Sequence, residues 1–129
     1  MKTEEINLPH VVAEVTAVFY CYEHALISNA IDTLDALFWH DKRAVRLGIY
    51  ENLYGIEAIR NFRTQRPSIG LVRKLHNSIV TTFGEEYAVC STEFTNESTK
   101  KLGRQQQTWV KLSDGWRIVA AQVSLMSAF

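Results

Sequence analysis

Two residues of this chain carry polar groups among apolar neighbours, and together they could do acid chemistry. Tyr22 falls on the apolar stripe of a helical segment, and Arg46 sits between Val45 and Leu47 near the end of a short strand-like run. A phenol close to a cation is a better proton donor, because its anion is stabilised. A guanidinium fork matches a carboxylate bidentately. Tyr22 and Arg46 thus read as an acid-plus-anchor pair for a small carboxylated substrate. Plainer readings stand beside this one. Tyr22 could be a packing residue with one hydrogen bond, and Arg46 could be tied to Glu51 or to a helix acid.

A second set of polar groups comes from Arg104-Gln105-Gln106-Gln107-Thr108-Trp109. Strand alternation puts Gln105, Gln107 and Trp109 on one face, and Arg104, Gln106 and Thr108 on the other. One row must meet solvent or a partner chain, which leaves the other to line a wet cavity. Gln105, Gln107 and Asn52 are candidate substrate contacts, with Trp109 as an apolar wall that excludes water. Glu93 points either inward or to solvent. Between residues 46 and 66 lie four arginines, Arg46, Arg60, Arg63 and Arg66. Arg63 and Arg66 read as solvated charges on a helix face.

Other chemistries lack their residues. The sequence contains no Gly-rich phosphate loop, no cysteine pair and no His-Glu pair at metal-ligand spacing. His10, His24, His40 and His76 fall in different elements, so neither a metal nor a cofactor is expected. No serine or cysteine sits in a nucleophile motif. With 14 basic and 14 acidic residues the formal charge is zero, which offers no general attraction to nucleic acid or an anionic membrane. Two separated cysteines, Cys21 and Cys90, suggest a reducing compartment and two buried thiols. MKTEEINLPH carries acids where a secretory leader needs a basic flank, and no run approaches the ~20 apolar residues of a membrane span. The expected location is cytoplasmic.

The elements that must position these groups follow from periodicity. At 129 residues and 47 % apolar content the chain reads as one domain over residues 1–129. Leu8 to Asn29 shows a helical stripe of Val11, Val15, Val18, Tyr22 and Ala25, with Asn7 as a plausible N-cap and Pro9 in the first turn. A shorter helix is expected from Ile31 to Phe38, with Asn29 or Asp32 near its start. A brief strand follows at Ala44 to Gly48, then a turn around Glu51-Asn52. The helix Ile56 to Arg66, stopped by Pro67, turns Ile56, Ile59 and Phe62 to the core. Period two then takes over: strands at Leu71–Phe83, Tyr87–Thr95, Arg104–Leu112 and Trp116–Leu125, with a polar loop from Asn96 to Leu102 and a hairpin turn at Ser113-Asp114-Gly115. Helices first and a strand meander afterwards is an α+β order, with the helices on one face of a curved antiparallel sheet. Such a sheet encloses a cone with one open end, where ligands are usually held.

The blocks LFWHDKRAVRLG, ENLYGIEAIRNFR, GRQQQTWVK and GWRIVAAQVSLM, in this order, resemble the AtzH-like family, which includes the oxalurate-catabolism proteins and belongs to the SnoaL-like, nuclear transport factor 2-like (cystatin-like) superfamily. The resemblance runs from about Ile6 to Met126. It implies a cone of three helices on a strongly curved antiparallel sheet, usually a homodimer, without a cofactor. It also implies work beside amidases of ureido-acid catabolism. One branch is a decarboxylating amidohydrolase that converts 1,3-dicarboxyurea to allophanate, and its essential tyrosine and arginine fall on Tyr22 and Arg46. The expected function is therefore metal-independent, decarboxylating hydrolysis of a carboxylated urea-type compound such as 1,3-dicarboxyurea or an oxalurate relative. The alternative is a non-catalytic small-acid-binding protein or amidase partner. Two positions depart from the family pattern. Gln106 replaces a serine, and Gln122 replaces a histidine that could shuttle a proton near neutral pH if it lined the pocket.

Overall fold

The computed structural model describes residues 1–68 and 71–127. Helix α1 spans Pro9–Ile27, and its stripe closes against the sheet through Val11, Val15, Phe19, Tyr22 and Leu26. Pro9 occupies the first turn as expected, but Asn7 is not the cap: Leu8 is. Asn7 instead takes φ 60° and stitches the N-terminal segment to the sheet. Its Oδ1 accepts from the Thr82 amide at 2.9 Å, and its own amide donates to the Thr82 carbonyl at 3.0 Å. Local capping lost here to a long-range pairing. Helix α2, Ile31–Leu37, likewise has Ala30 at its N-cap and no side-chain cap from Asn29 or Asp32.

After α2 come β1 (Val45–Leu47), β2 (Asn52–Tyr54) and α3 (Ile56–Gln65). The expected turn at Glu51-Asn52 is instead the entry to β2. The reversal lies at Gly48 to Glu51, where the Gly48 amide donates to the Glu51 carbonyl at 2.8 Å. A three-residue strand is too short to show a period, so nothing in its residues distinguishes it from a turn. The remaining strands are β3 (Lys74–Phe83), β4 (Tyr87–Thr95), β5 (Leu102–Leu112) and β6 (Gly115–Met126).

The six strands form one sheet of order β2-β1-β6-β5-β4-β3. All neighbours are antiparallel except β1 and β6, which run parallel with Arg46 beside Ala121. Two irregularities bend it. In β3 the register shifts between His76 and Ile79, with Asn77 at φ 52°. In β6, Thr108 faces Ala120 and Trp109 faces Ile118, so Val119 is a bulge residue without a partner. An extra residue on one strand of a pair bends that strand and raises its twist.

The core lies between the helices and the inner sheet face. Ala88 and Cys90 of β4, Trp109 of β5, and Trp116 and Ile118 of β6 share a cluster with the α1 stripe, Leu34 and Phe38. Gly103 leaves room for the Phe94 ring, where any Cβ would overlap it. Cys90 is buried, but Cys21 is exposed on the outer side of α1, so only one of the two thiols is interior. Among the described residues no helix is long and apolar enough to cross a membrane.

Candidate functional site

The α1 stripe carries Tyr22 into the interior, where the residue is 4 % exposed. There its hydroxyl oxygen accepts a hydrogen bond from Arg63 Nη2 at 3.0 Å. Arg63 comes from α3, and the expectation that it is a solvated helix charge is overturned: it is 1 % exposed. Ile56, Ile59 and Arg63 hold the spacing i, i+3, i+7 of a core stripe, and all three are buried. An arginine can occupy the last place because its guanidinium lies 4.9 Å from the Phe38 ring centroid and 5.6 Å from that of Tyr22.

Arg66 is corrected in the same way. Pro67 keeps it out of the helical region, so its backbone is extended (φ −75°, ψ 135°) and it is no longer part of a helix face. Its guanidinium packs 5.9 Å from the Phe62 ring centroid, with Nε and Nη2 closed to solvent. Arg46 lies 5.4 Å from the same ring and gives Nη1 to Glu51 Oε1 at 3.1 Å. The Glu51 pairing anticipated as the plainer reading is therefore present, although the Arg46 side chain is only 12 % exposed.

A fourth arginine completes the cluster. Arg73 grips Glu23 side-on, Nε to Oε2 at 2.9 Å and Nη2 to Oε1 at 2.7 Å, and also donates to Gln105 Oε1 at 2.9 Å. Glu23 is buried beside Tyr22 on the α1 stripe. Neither Glu23 nor Arg73 was anticipated, although a carboxylate four residues after Phe19 on a buried stripe is itself a signal that a cation must meet it.

The charges around Tyr22 do not balance. Arg73 is neutralised by Glu23 and Arg46 by Glu51, while Asp35 Oδ1 stands 3.9 Å from Arg63 Nη1, beyond hydrogen-bond reach. Burial is the largest influence on the Tyr22 phenol and pushes its pKa up. Arg63, Arg46, Arg73 and Arg66 together outweigh that effect and hold it below the ordinary tyrosine value. Burial, followed by repulsion from Arg46 and Arg63, pulls the Arg66 pKa down. Among the described residues, Nε and Nη1 of Arg63, Nε and Nη2 of Arg66, and Nε2 of Gln105 are buried without a hydrogen-bond partner. Each such donor costs about 1–3 kcal/mol, more when charged. Asp35 Oδ1, 3.9 Å from Arg63 Nη1, is likewise buried without a hydrogen-bond partner, so the interior holds a spare acceptor beside its spare N–H groups.

The other anticipated residues divide. Gln105 joins the cluster through Arg73. Gln107 is buried but accepts from the Trp109 indole N–H at 3.0 Å, and Trp109 is wholly buried in the core. Asn52 is exposed on the edge strand β2, opposite Leu47. Gln106 and Gln122 face each other across β5 and β6 on the outer sheet face. The bulge at Val119 decides this, because strict alternation from Trp116 and Ile118 would have sent Gln122 inward. Glu93 is on the outer side too, accepting from Asn77 Nδ2 at 3.1 Å.

An outer groove of about 420 Å³ is lined by Ile79, Ser91, Arg104, Gln106, Gln122 and Ser124 among others. Grooves of about 630 Å³ beside Trp39 and Arg117 and about 700 Å³ beside Arg73 and Asn96 lie elsewhere. Tyr22, Arg46, Arg63 and Arg66 line none of these three, whereas Gln105 of the cluster borders the first and Arg73 the third. Among the described residues no three His, Cys, Asp or Glu side chains are placed to hold a metal ion.

Three helices on one bent six-stranded mixed sheet define the nuclear transport factor 2-like, or cystatin-like, α+β fold. A nuclear transport factor 2-like superfamily protein from Salmonella enterica superposes with a TM-score of 0.73 at 19 % identity, covering 92 % of this chain and 93 % of that one. Within that fold the chain belongs to the AtzH-like family, which it matches over residues 4–128. It is similar to a protein with unknown function from Pectobacterium atrosepticum, with 58 % identity, a TM-score of 0.97, and coverage of 98 % of this chain and 99 % of that one. It is also similar to a cystatin-like fold protein from Burkholderia xenovorans, with 51 % identity, a TM-score of 0.94, and coverage of 97 % and 98 %. No curated protein matches the chain at a significant level.

Proposed function

We propose that this protein is an enzyme of ureido-acid catabolism that decarboxylates a small carboxylated urea-type compound, with Tyr22 as the acid. The observation that carries the reading is the Arg63–Tyr22 hydrogen bond. A guanidinium only donates, so the phenolic oxygen must accept, and the Tyr22 proton is directed to another group. Among the described residues no acceptor takes it. The acid therefore faces the same interior that holds the unpartnered cationic donors.

In the proposed step the substrate lies with an N-carboxylate near Arg46 and its nitrogen at Tyr22. The bond from nitrogen to the carboxyl carbon breaks with its electron pair kept on nitrogen. The Tyr22 proton completes the new N–H, and carbon dioxide leaves. The tyrosinate, stabilised by the surrounding guanidinium groups, regains its proton from water. Gln105 is placed to contact a ureido group through its unpartnered amide. The test is purified protein incubated with 1,3-dicarboxyurea while carbon dioxide is followed. Turnover by wild type and none by Tyr22→Phe is expected, and an inert wild type overturns the proposal.

One observation favours a second reading, that of a small-acid-binding protein or amidase partner without chemistry: Arg46 is already engaged by Glu51. On that reading Tyr22→Phe binds its acid and supports an amidase as well as wild type does. We infer in either case that the protein works as a homodimer, which sedimentation of the purified chain checks.

A further inference from the structure

Two arginines in this interior present the same edge with different outcomes. Arg73 uses Nε and Nη2 to grip the Glu23 carboxylate side-on. Arg66 has the same two atoms, Nε and Nη2, buried and without an acceptor among the described residues. The Nε–Nη2 edge is a two-donor fork whose spacing matches the two oxygens of a carboxylate. The Arg73–Glu23 pair is thus an internal example of what the Arg66 fork lacks. Among the described residues Arg66 has no carboxylate partner of its own, whereas Arg46 and Arg73 each have one within 3.1 Å.

From this difference we propose that Arg66 is the principal carboxylate-binding residue of the site, a role distinct from that of Arg46. The proposal rests on the interior cluster being a carboxylate site, but not on any turnover. Its chemistry is consistent with the decarboxylation above. A carboxylate that departs as carbon dioxide loses its charge in the transition state, so a strong cationic grip on it would favour the ground state. Arg46, already paired with Glu51, suits that departing group. The uncompensated fork of Arg66 suits an acidic group that stays charged throughout. The favoured ligand is then a small compound with two acidic groups, one to be lost and one to be held.

The experiment is calorimetric titration of the purified protein with malonate, using wild type, Arg66→Lys, Arg66→Gln and Tyr22→Phe, with folding of each verified by circular dichroism. Saturable binding by wild type is expected, weakened at least tenfold in both Arg66 variants and within about threefold of wild type in Tyr22→Phe. Arg66→Lys keeps the charge and loses only the planar fork, so its failure to rescue binding is the signature of bidentate recognition. Undiminished binding by either folded Arg66 variant overturns the proposal, as does a wild type that takes up no malonate. Malonate binding that depends on Arg66 in a protein without turnover keeps this inference and removes the catalytic one. Unchanged turnover in Arg66→Lys does the reverse.

Discussion

Arg63 donates from Nη2 to the hydroxyl of Tyr22 across 3.0 Å, with both side chains closed to solvent. This contact joins α1 to α3 over 41 positions of sequence and brings to the phenol the largest of the cationic influences that lower its pKa.

Tyr22 is expected to ionise below the ordinary tyrosine pKa of about 10. Replacing Arg63 with Gln removes the largest attraction on the tyrosinate, so the transition must move up. The tyrosinate absorbance of wild type minus that of Tyr22→Phe isolates it. As a proton donor, Tyr22 loses competence as pH rises through its pKa, so the basic limb of any pH–rate profile should move upward in Arg63→Gln. For stability, a depressed pKa adds nothing while pH is below the folded value. The added stability grows as pH rises above the folded pKa and is complete above the unfolded value. A transition that ignores Arg63 would refute the assignment.

Glu51 competes with any acid for Arg46. Glu51→Gln should tighten substrate binding and slow release of carbon dioxide, lowering both KM and kcat by roughly three- to tenfold through a firmer hold on the ground state. Steady-state kinetics checks this, and a raised KM would count against a substrate role for Arg46.

The Glu23–Arg73 pair is interior, with side chains 10 % and 7 % exposed. Glu23→Ala strands a buried guanidinium, for an expected loss of about 3–5 kcal/mol. In urea unfolding, the double variant Glu23→Met, Arg73→Met should recover most of that loss. Additive losses in the double-mutant cycle would show that the two residues do not act as a pair.

Burial pushes the Cys90 thiol up to about 12, while Cys21 is exposed. Native protein should therefore react with a disulfide reagent at one thiol, and at two only after denaturation. A second fast-reacting thiol in the native state would contradict the burial of Cys90.

What was legible in the chain depended on the length of the signal. The α1 stripe repeats over five turns, and β4 and β5 alternate over nine and eleven residues, so element type and which residues share a face follow from period alone, while which strand face turns inward does not. The three-residue strands β1 and β2 have no period to show, and their pairing with each other and with β6 is a tertiary fact. Arg63 and Arg66 were misplaced for a related reason. Charge argues for solvent until a partner is known, and their partners, Tyr22, Phe38 and Phe62, are remote in sequence or on another helical turn.

By itself, then, the sequence determined the α+β order, the grouping of Gln105, Gln107 and Trp109 on one strand face, and the singling out of Tyr22 and Arg46, because apolar period and a polar misfit are local properties. The tertiary structure alone decided that Arg46 is engaged by Glu51 and that Arg63 caps Tyr22. It decided too that Arg66 Nε and Nη2 are closed to solvent with no partner among the described residues, and that the Val119 bulge turns Gln122 to the outer face. A buried charge is tolerated only where folding brings a partner to it, and which partner arrives is settled by how helices and strands meet.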